Sequence, residues 1–357
     1  MNARDPRRLG KYEIVKTLGK GAMGVVYLAR DPVIERNVAV KTIRKDLLDA
    51  AGNAEVTARF RREAMAAGRL THPSIVAVYD YGEDENVAYI VMEYAPGEDL
   101  TGYAAARSLS LPEVGMLMAQ LLDALEYAHG AGIVHRDIKP ANMLVAERLK
   151  ITDFGIARIA NSSLTQTGAT MGTPAYMAPE QYMGVGVDHR VDLFAAGVVC
   201  YELLTGLLPF DGSSLEQLAY KICHTQPIPA TQVRPSLPQS IDAVLAKALA
   251  KTKEGRFASA GQFARVLADA LAGRDSSGPM TDPRCTLGIA ATVSSRAPAG
   301  TWAPETMGAL ARMLAPTMGS VAGVAVKRAA SRATDPDQLV RALTNHIDSD
   351  DARAQWG

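Results

Sequence analysis

One run constrains this chain more than any other: Ile133-Val134-His135-Arg136-Asp137-Ile138-Lys139-Pro140-Ala141-Asn142-Met143-Leu144-Val145. It sets an acid, a lysine and an amide inside one short loop. The apolar runs on either side, Ile133-Val134 and Met143-Leu144-Val145, both read as buried strand ends, and polar groups pinned between such anchors are held in fixed positions. Downstream, strand-like Leu149-Lys150-Ile151-Thr152 leads into Asp153-Phe154-Gly155. Asp137 suits a catalytic base, and Asn142 and Asp153 are oxygen ligands of the kind Mg²⁺ prefers. Alone, Asp-Phe-Gly is a common turn and His-Arg-Asp a surface ion pair. Their order and spacing carry the argument.

Upstream, 12–18 reads as a strand running into Gly19-Lys20-Gly21-Ala22-Met23-Gly24-Val25-Val26-Tyr27, with a second strand after it. Glycines permit a tight turn and let backbone N–H groups approach phosphate oxygens. This G-x-G-x-x-G lies between two strands and not between a strand and a helix, which excludes the dinucleotide-binding version and leaves a plain glycine hairpin as the bland alternative. Val38-Ala39-Val40-Lys41 is a buried-looking strand ending in a lysine, which needs an anionic partner there. Two are on offer, a nucleotide phosphate and Glu63. The segment 55–70 has helical periodicity, with Glu63 on the apolar face of Phe60, Ala67 and Leu70. A surface pair of Glu63 with Arg59, Arg61 or Arg62 is the competing reading.

H-R-D-x-K-x-x-N followed by D-F-G resembles the protein kinases, and among them the bacterial serine/threonine kinases of the PknB type. The resemblance covers about residues 11–273. It implies an α+β, bilobal protein kinase fold: a small antiparallel sheet with one helix over 11–92, a larger, mostly helical lobe over 96–273, and ATP with Mg²⁺ (or Mn²⁺) between them. By the same resemblance, Asp137 orients the acceptor hydroxyl and accepts its proton, and Lys139 stabilises the transferring group. Lys41, positioned by Glu63, holds the α- and β-phosphates, while Asn142 and Asp153 hold the metal. Gly19, Lys20, Gly21, Ala22, Met23 and Gly24 cover the phosphates. Glu93-Tyr94-Ala95-Pro96-Gly97 resembles the hinge, with backbone groups of Glu93 and Ala95 on adenine. Met92 guards the back of that pocket, and Leu18, Val26, Ala39 and Leu144 sandwich the ring. Such apolar residues are more often plain core, and only the resemblance promotes them.

Between Asp153 and Glu180, the polar stretch Asn161–Thr170 lacks apolar periodicity and is rich in hydroxyls. Thr165 and Thr167 match the paired activation-loop threonines of PknB-type kinases, and a phosphothreonine there could pair with Arg136. A solvated loop with incidental hydroxyls is the alternative. In Gly172-Thr173-Pro174-Ala175-Tyr176-Met177-Ala178-Pro179-Glu180, the last three residues match A-P-E, and Glu180 is expected to pair with Arg256. Lys139 and Thr173 together mark serine/threonine specificity. Asp192 resembles the buried aspartate that holds the catalytic loop from below. His72-Pro73-Ser74-Ile75-Val76 begins another extended segment, and His72, before a proline, reads as structural. Helices are expected over 111–129, 215–223, 241–249 and 260–271, with Gly273 as a stop.

The 357 residues suffice for two domains, or one with an extension. Lys+Arg and Asp+Glu both number 38, so charge points to neither a nucleic-acid nor a membrane partner. Cys200, Cys223 and Cys285 form no metal spacing and no disulfide framework, which fits a reducing cytosol. No signal peptide and no apolar run of membrane-spanning length is found. Residues 274–303 read as a Ser/Thr/Pro/Gly/Ala-rich linker, and 304–348 as a small helical bundle for docking or regulation. Partners implied are protein substrates bearing Ser or Thr, and a second copy for trans-autophosphorylation. The competing class is a pseudokinase or scaffold whose C-terminal module binds partners. Its usual mark is loss of the lysine, the base or a metal ligand, and none is lost here.

Overall fold

The computed structural model describes residues 6–21, 24–44, 61, 64–84, 87–154, 174–184 and 186–274. The chain divides into two compact units, Met1–Pro279 and Met280–Gly357. The second unit lies outside the described residues, as do the helices expected over 304–348.

The first lobe is a six-stranded sheet in the order β1-β2-β3-β4-β6-β5. Its strands are β1 Arg8–Leu9, β2 Tyr12–Gly21, β3 Gly24–Asp31, β4 Arg36–Arg44, β5 Val78–Glu83 and β6 Val87–Glu93, with every neighbouring pair antiparallel. Side chains alternate across a strand, so β4 feeds two separate clusters. Val38 and Val40 join Tyr12, Tyr27, Tyr89 and Val91 on one face, while Ala39 and Ile43 join Ala64, Val76, Ile90 and Met92 on the other. Burial on both faces explains the apolar run Val38–Val40 of β4 and the near-continuous apolar run of β6. Of the helix expected over 55–70, the described residues are helical at 61 and 64–67.

The second lobe opens with β7 Glu98–Asp99 and α1 Leu100–Ala105, whose N-cap Asp99 accepts from the Gly102 N–H at 3.0 Å. Next comes α2, Leu111–Gly130, which starts in a capping box: Ser110 and Glu113 satisfy each other's backbone N–H, and Pro112 occupies the first turn. Its buried stripe of Val114, Leu117, Met118, Leu121, Leu122, Leu125 and Ala128 is the spine of the lobe's core. Each Val, Leu or Met of that stripe contributes about 1.5–3 kcal/mol through burial. The chain leaves α2 through Gly132 at φ +74°, a backbone region that glycine enters without steric cost. There follow β8 Met143–Val145 and β9 Leu149–Ile151, which with β7 make a small three-stranded sheet. The remaining helices are α3 Pro179–Met183, α4 Arg190–Thr205, α5 Leu215–His224, α6 Ala230–Val233, α7 Ser240–Ala248 and α8 Ala260–Leu271. Gly273 follows the last of them at φ +65°.

Three local expectations need correction. Ile133-Val134 is not a strand end, and both residues are only half-buried. The Ile133 N–H closes the end of α2 on the Ala128 carbonyl, and the next buried backbone donor, His135 N–H, goes to Asp192, so no ladder forms. The segment 72–76 is a turn with a single bridge, Ile75 to Ile151, backed by Val76 N–H to Ile151 O and Ile151 N–H to Ser74 O, each 2.9 Å. That bridge ties the first lobe to β9. Finally, α4 was not anticipated as an element, because it is buried on nearly every side and so carries no amphipathic stripe.

Candidate active site

The catalytic loop is held by buried groups drawn from distant parts of the chain. Asp192, in the first turn of α4 and fully buried, accepts from His135 N–H at 2.8 Å, Arg136 N–H at 2.7 Å and His129 Nε2 at 2.8 Å. His135, also fully buried, receives the Asp137 N–H on Nδ1 at 3.2 Å and donates from Nε2 to the Thr152 carbonyl at 2.8 Å. A backbone N–H can only donate and a carbonyl can only accept, so these two bonds fix the neutral tautomer. The ring stacks edge-on against buried Phe154 at 4.6 Å. His135 is therefore a strut between the loop and the strand that delivers Asp153.

On this frame stand the reactive types. The Asp137 carboxylate takes Lys139 Nζ at 3.0 and 2.8 Å, and its Oδ2 also takes Asn142 Nδ2 at 2.9 Å. Asn142 Nδ2 makes a second bond to the Asp137 carbonyl at 2.8 Å. Lys41, on β4, reaches Asp153 Oδ1 at 2.7 Å. Burial pushes the Asp153 carboxyl up, but the Lys41 ammonium, through its charge and hydrogen bond and helped by Lys139, outweighs burial and holds it below the usual carboxylate range. Arg136 and Asp153 both sit at positive φ, +68° and +66°. A non-glycine backbone in that region costs roughly 1–3 kcal/mol and persists only where its surroundings over-determine it.

The glycine-rich turn joins β2 to β3, with Gly21 paired to Gly24. A Cβ on Gly24 would lie 1.7 Å from the Thr42 carbonyl, whereas one on Gly19 would meet nothing within 4 Å. Met92, Ala39 and Val26 pack into one cluster. Leu18 is exposed on β2, Leu144 is half-buried on β8, and Ala95 is buried after the hinge strand. The Glu93 N–H is committed to the Ala77 carbonyl at 2.8 Å. Glu180 and Arg256 form a buried two-pronged pair at 2.6 and 2.7 Å. Lys20 is exposed on β2. Glu63, Ala22, Met23, Thr165, Thr167 and Thr173 lie outside the described residues, so the Lys41 partner on view is Asp153.

The donor set fits a hard divalent cation. Asp153 offers carboxylate oxygens, and with both Asn142 Nδ2 bonds spent on Asp137, the end of that amide left for a ligand is Oδ1, also an oxygen. Open space above Gly19 and the shared apolar cluster at Met92 fit a nucleotide's phosphates and base.

Residues 12–267 match the family described as protein kinase domain. The chain belongs to the protein kinase family. It is 46% identical over 270 residues to a probable serine/threonine-protein kinase of Streptomyces coelicolor, covering 72% of this chain and 40% of that protein. It is 41% identical over 255 residues to the serine/threonine-protein kinase PrkC of Bacillus subtilis, covering 70% and 39%. Against the serine/threonine-protein kinase PknB of Mycobacterium tuberculosis the identity is 42% over 305 residues, covering 76% and 48%. These relatives support the PknB-type resemblance, and the chain spans less than half the length of each. The crystal structure of the M. tuberculosis PknI kinase domain matches with a TM-score of 0.61 at 34% identity, over 74% of this chain and 96% of that one. Among the described residues, no helix is long and apolar enough to cross a membrane.

Three contributors escaped the sequence reading: His129, the Glu93 side chain and Gln181. Lys150 Nζ clasps Glu93 at 2.8 and 2.9 Å, joining the hinge to β9. The cue was faint: Lys150 is the one polar residue between Leu149 and Ile151.

Proposed function

We propose that this chain is an ATP-dependent serine/threonine protein kinase that transfers the γ-phosphoryl group of ATP to Ser or Thr hydroxyls of proteins. The observation that supports this best is the Asp137 carboxylate, fixed by Lys139 and Asn142 on a loop whose struts His135 and Asp192 are fully buried. A carboxylate so held can orient an acceptor hydroxyl and take its proton. Lys139 brings positive charge to the same point, and Lys41 brings it beside Asp153. Asn142 and Asp153 would hold the divalent cation, Mg²⁺ or Mn²⁺, whose chemistry is charge neutralisation at the phosphates. Gly19 to Gly24 would cover the phosphates, and Val26, Ala39, Met92, Ala95, Leu18 and Leu144 would enclose the base. Most of the rate gain in such a site comes from positioning and fixed charge.

The proposal extends to Glu63 as the second partner of Lys41, and to activation by autophosphorylation at Thr165 or Thr167, read out by Arg136. It also takes in Thr173 as a mark of hydroxyl specificity, a kinase domain over 11–273, self-association during autophosphorylation, and a cytoplasmic location. The test is incubation of the purified chain with ATP and Mg²⁺, followed by phosphosite mapping, beside the Asp137→Asn variant. Phosphate on Thr165 or Thr167 in the parent and none in the variant is the expected result. Equal labelling of both would overturn the reading.

A further inference from the structure

Arg136 is the strained joint of the catalytic loop, and its backbone is gripped at both ends. Its N–H goes to Asp192 at 2.7 Å. Its carbonyl accepts from Gln181 Nε2 at 3.1 Å. The other end of the same amide, Oε1, accepts the Ala178 N–H at 2.9 Å. Gln181 thus spans the catalytic loop and the segment Pro174–Ala178, using the donor and the acceptor of one side chain in opposite directions. It also stands on an anchored base, because its neighbour Glu180 carries the two-pronged buried pair with Arg256.

We propose that Gln181 is a positioning residue: it fixes the Arg136 peptide, and through it the attitude of Asp137, against the segment ending at Ala178. This rests on the kinase reading above. A left-handed residue keeps its conformation only if neighbours over-determine it. Asp192 restrains one side of Arg136 and Gln181 the other. An amide suits the task because the two atoms it serves, a carbonyl oxygen and an N–H, demand opposite polarity at its two ends.

The substitution Gln181→Glu tests this with almost no change of shape. At neutral pH a carboxylate still accepts from Ala178 N–H but sets a negative oxygen against the Arg136 carbonyl. When protonated it regains a donor and mimics the amide. The full chain and this variant are compared across pH for phosphoryl transfer to a Ser/Thr peptide, with the KM for ATP and thermal unfolding measured alongside. Expected at neutral pH is a kcat loss of roughly ten- to a hundredfold with the KM for ATP within about twofold, since one lost or inverted hydrogen bond moves a barrier by about 1.4–2.7 kcal/mol. The ratio of variant to parent kcat should rise as the pH is lowered. Gln181→Met, which lacks donor and acceptor, should show the loss without the pH-dependent recovery. A kcat near parental in Gln181→Glu overturns the proposal. So does a pH-independent ratio, or a kcat loss matched by equal losses in nucleotide affinity and melting temperature, including outright failure to fold. A parent chain that transfers no phosphate indicts the kinase reading instead.

Discussion

The two walls of the cleft are built on opposite principles. The floor, His135 to Asn142, is tied down by Gln181 of α3 and Asp192 of α4, both remote from it in sequence, and the wholly buried Asp192 is itself braced by His129 of α2. The roof, from Val15 to Gly21 on β2, is almost entirely exposed and rests on its ladder with β3. Beside it, at the start of β3, the Thr42 hydroxyl accepts the Val25 N–H at 3.1 Å and donates to the Val25 carbonyl at 2.9 Å. On the proposed function, the groups that would meet a reacting atom are over-determined, whereas those that would cover the nucleotide are largely exposed. The floor is where buried polar atoms are costly to orphan.

The sharpest break of this contrast is at the floor. Asp137→Asn keeps the shape and the bonds to Lys139 and Asn142 at one oxygen, yet removes the carboxylate proposed to accept the proton. Transfer should fall by roughly 10²–10⁴-fold while nucleotide affinity stays near parental, as measured by steady-state kinetics and nucleotide titration. Asp192→Ala comes next. It orphans the His135 and Arg136 N–H groups in a dry site, so unfolding free energy should drop by about 3 kcal/mol, with most activity gone. Denaturant titration checks it, and a loss under about 1 kcal/mol would show that the floor is not held from below.

The floor was also the more legible wall. His135, Arg136, Asp137, Lys139, Asn142 and Asp153 stand close together in sequence, so their convergence could be read directly, as could the strands of the first lobe and the helix α2 with Pro112 at its start. What escaped depended on distance in sequence or on a missing signal. Gln181 occupies the third helical position, where an N-terminal cap signature places Glu or Gln. Its cap residue, however, is Ala178, which has no side-chain acceptor, so the signature is only half written. His129 looks like the end of an amphipathic helix until α4 is seen beneath it. The helix α4 is buried all round, and its periodicity vanished for that reason. Ile133-Val134 misled because apolar residues flanking a polar loop fit a strand end and a helix exit equally well.

The roof is tested through its glycines, with smaller effects. Gly24→Val drives a side chain into the Thr42 carbonyl, 1.7 Å from the ideal Cβ position. The β3 edge must then shift. A rise of roughly tenfold in the KM for ATP is expected with a loss of about 1–3 kcal/mol in stability, read by kinetics and thermal melting. A parental KM would mean that this turn does not touch the nucleotide.

Gly19→Ala is the mildest and the most discriminating. Among the described residues no atom lies within 4 Å of the added Cβ, and the backbone there is not in the left-handed region. Folding gives no reason for glycine at this position. Alanine should leave stability within about 0.5 kcal/mol, or raise it slightly by narrowing the unfolded ensemble. If glycine is present so that phosphate oxygens can approach the backbone, the KM for ATP should rise a few-fold with the melting temperature unchanged. Loss of both together would make Gly19 a folding residue. No change in either would remove it from the nucleotide site, leaving Gly24 as the one glycine of this turn with a structural reason, the Thr42 carbonyl, and the cover over the phosphates would have to begin nearer β3 than the motif suggests.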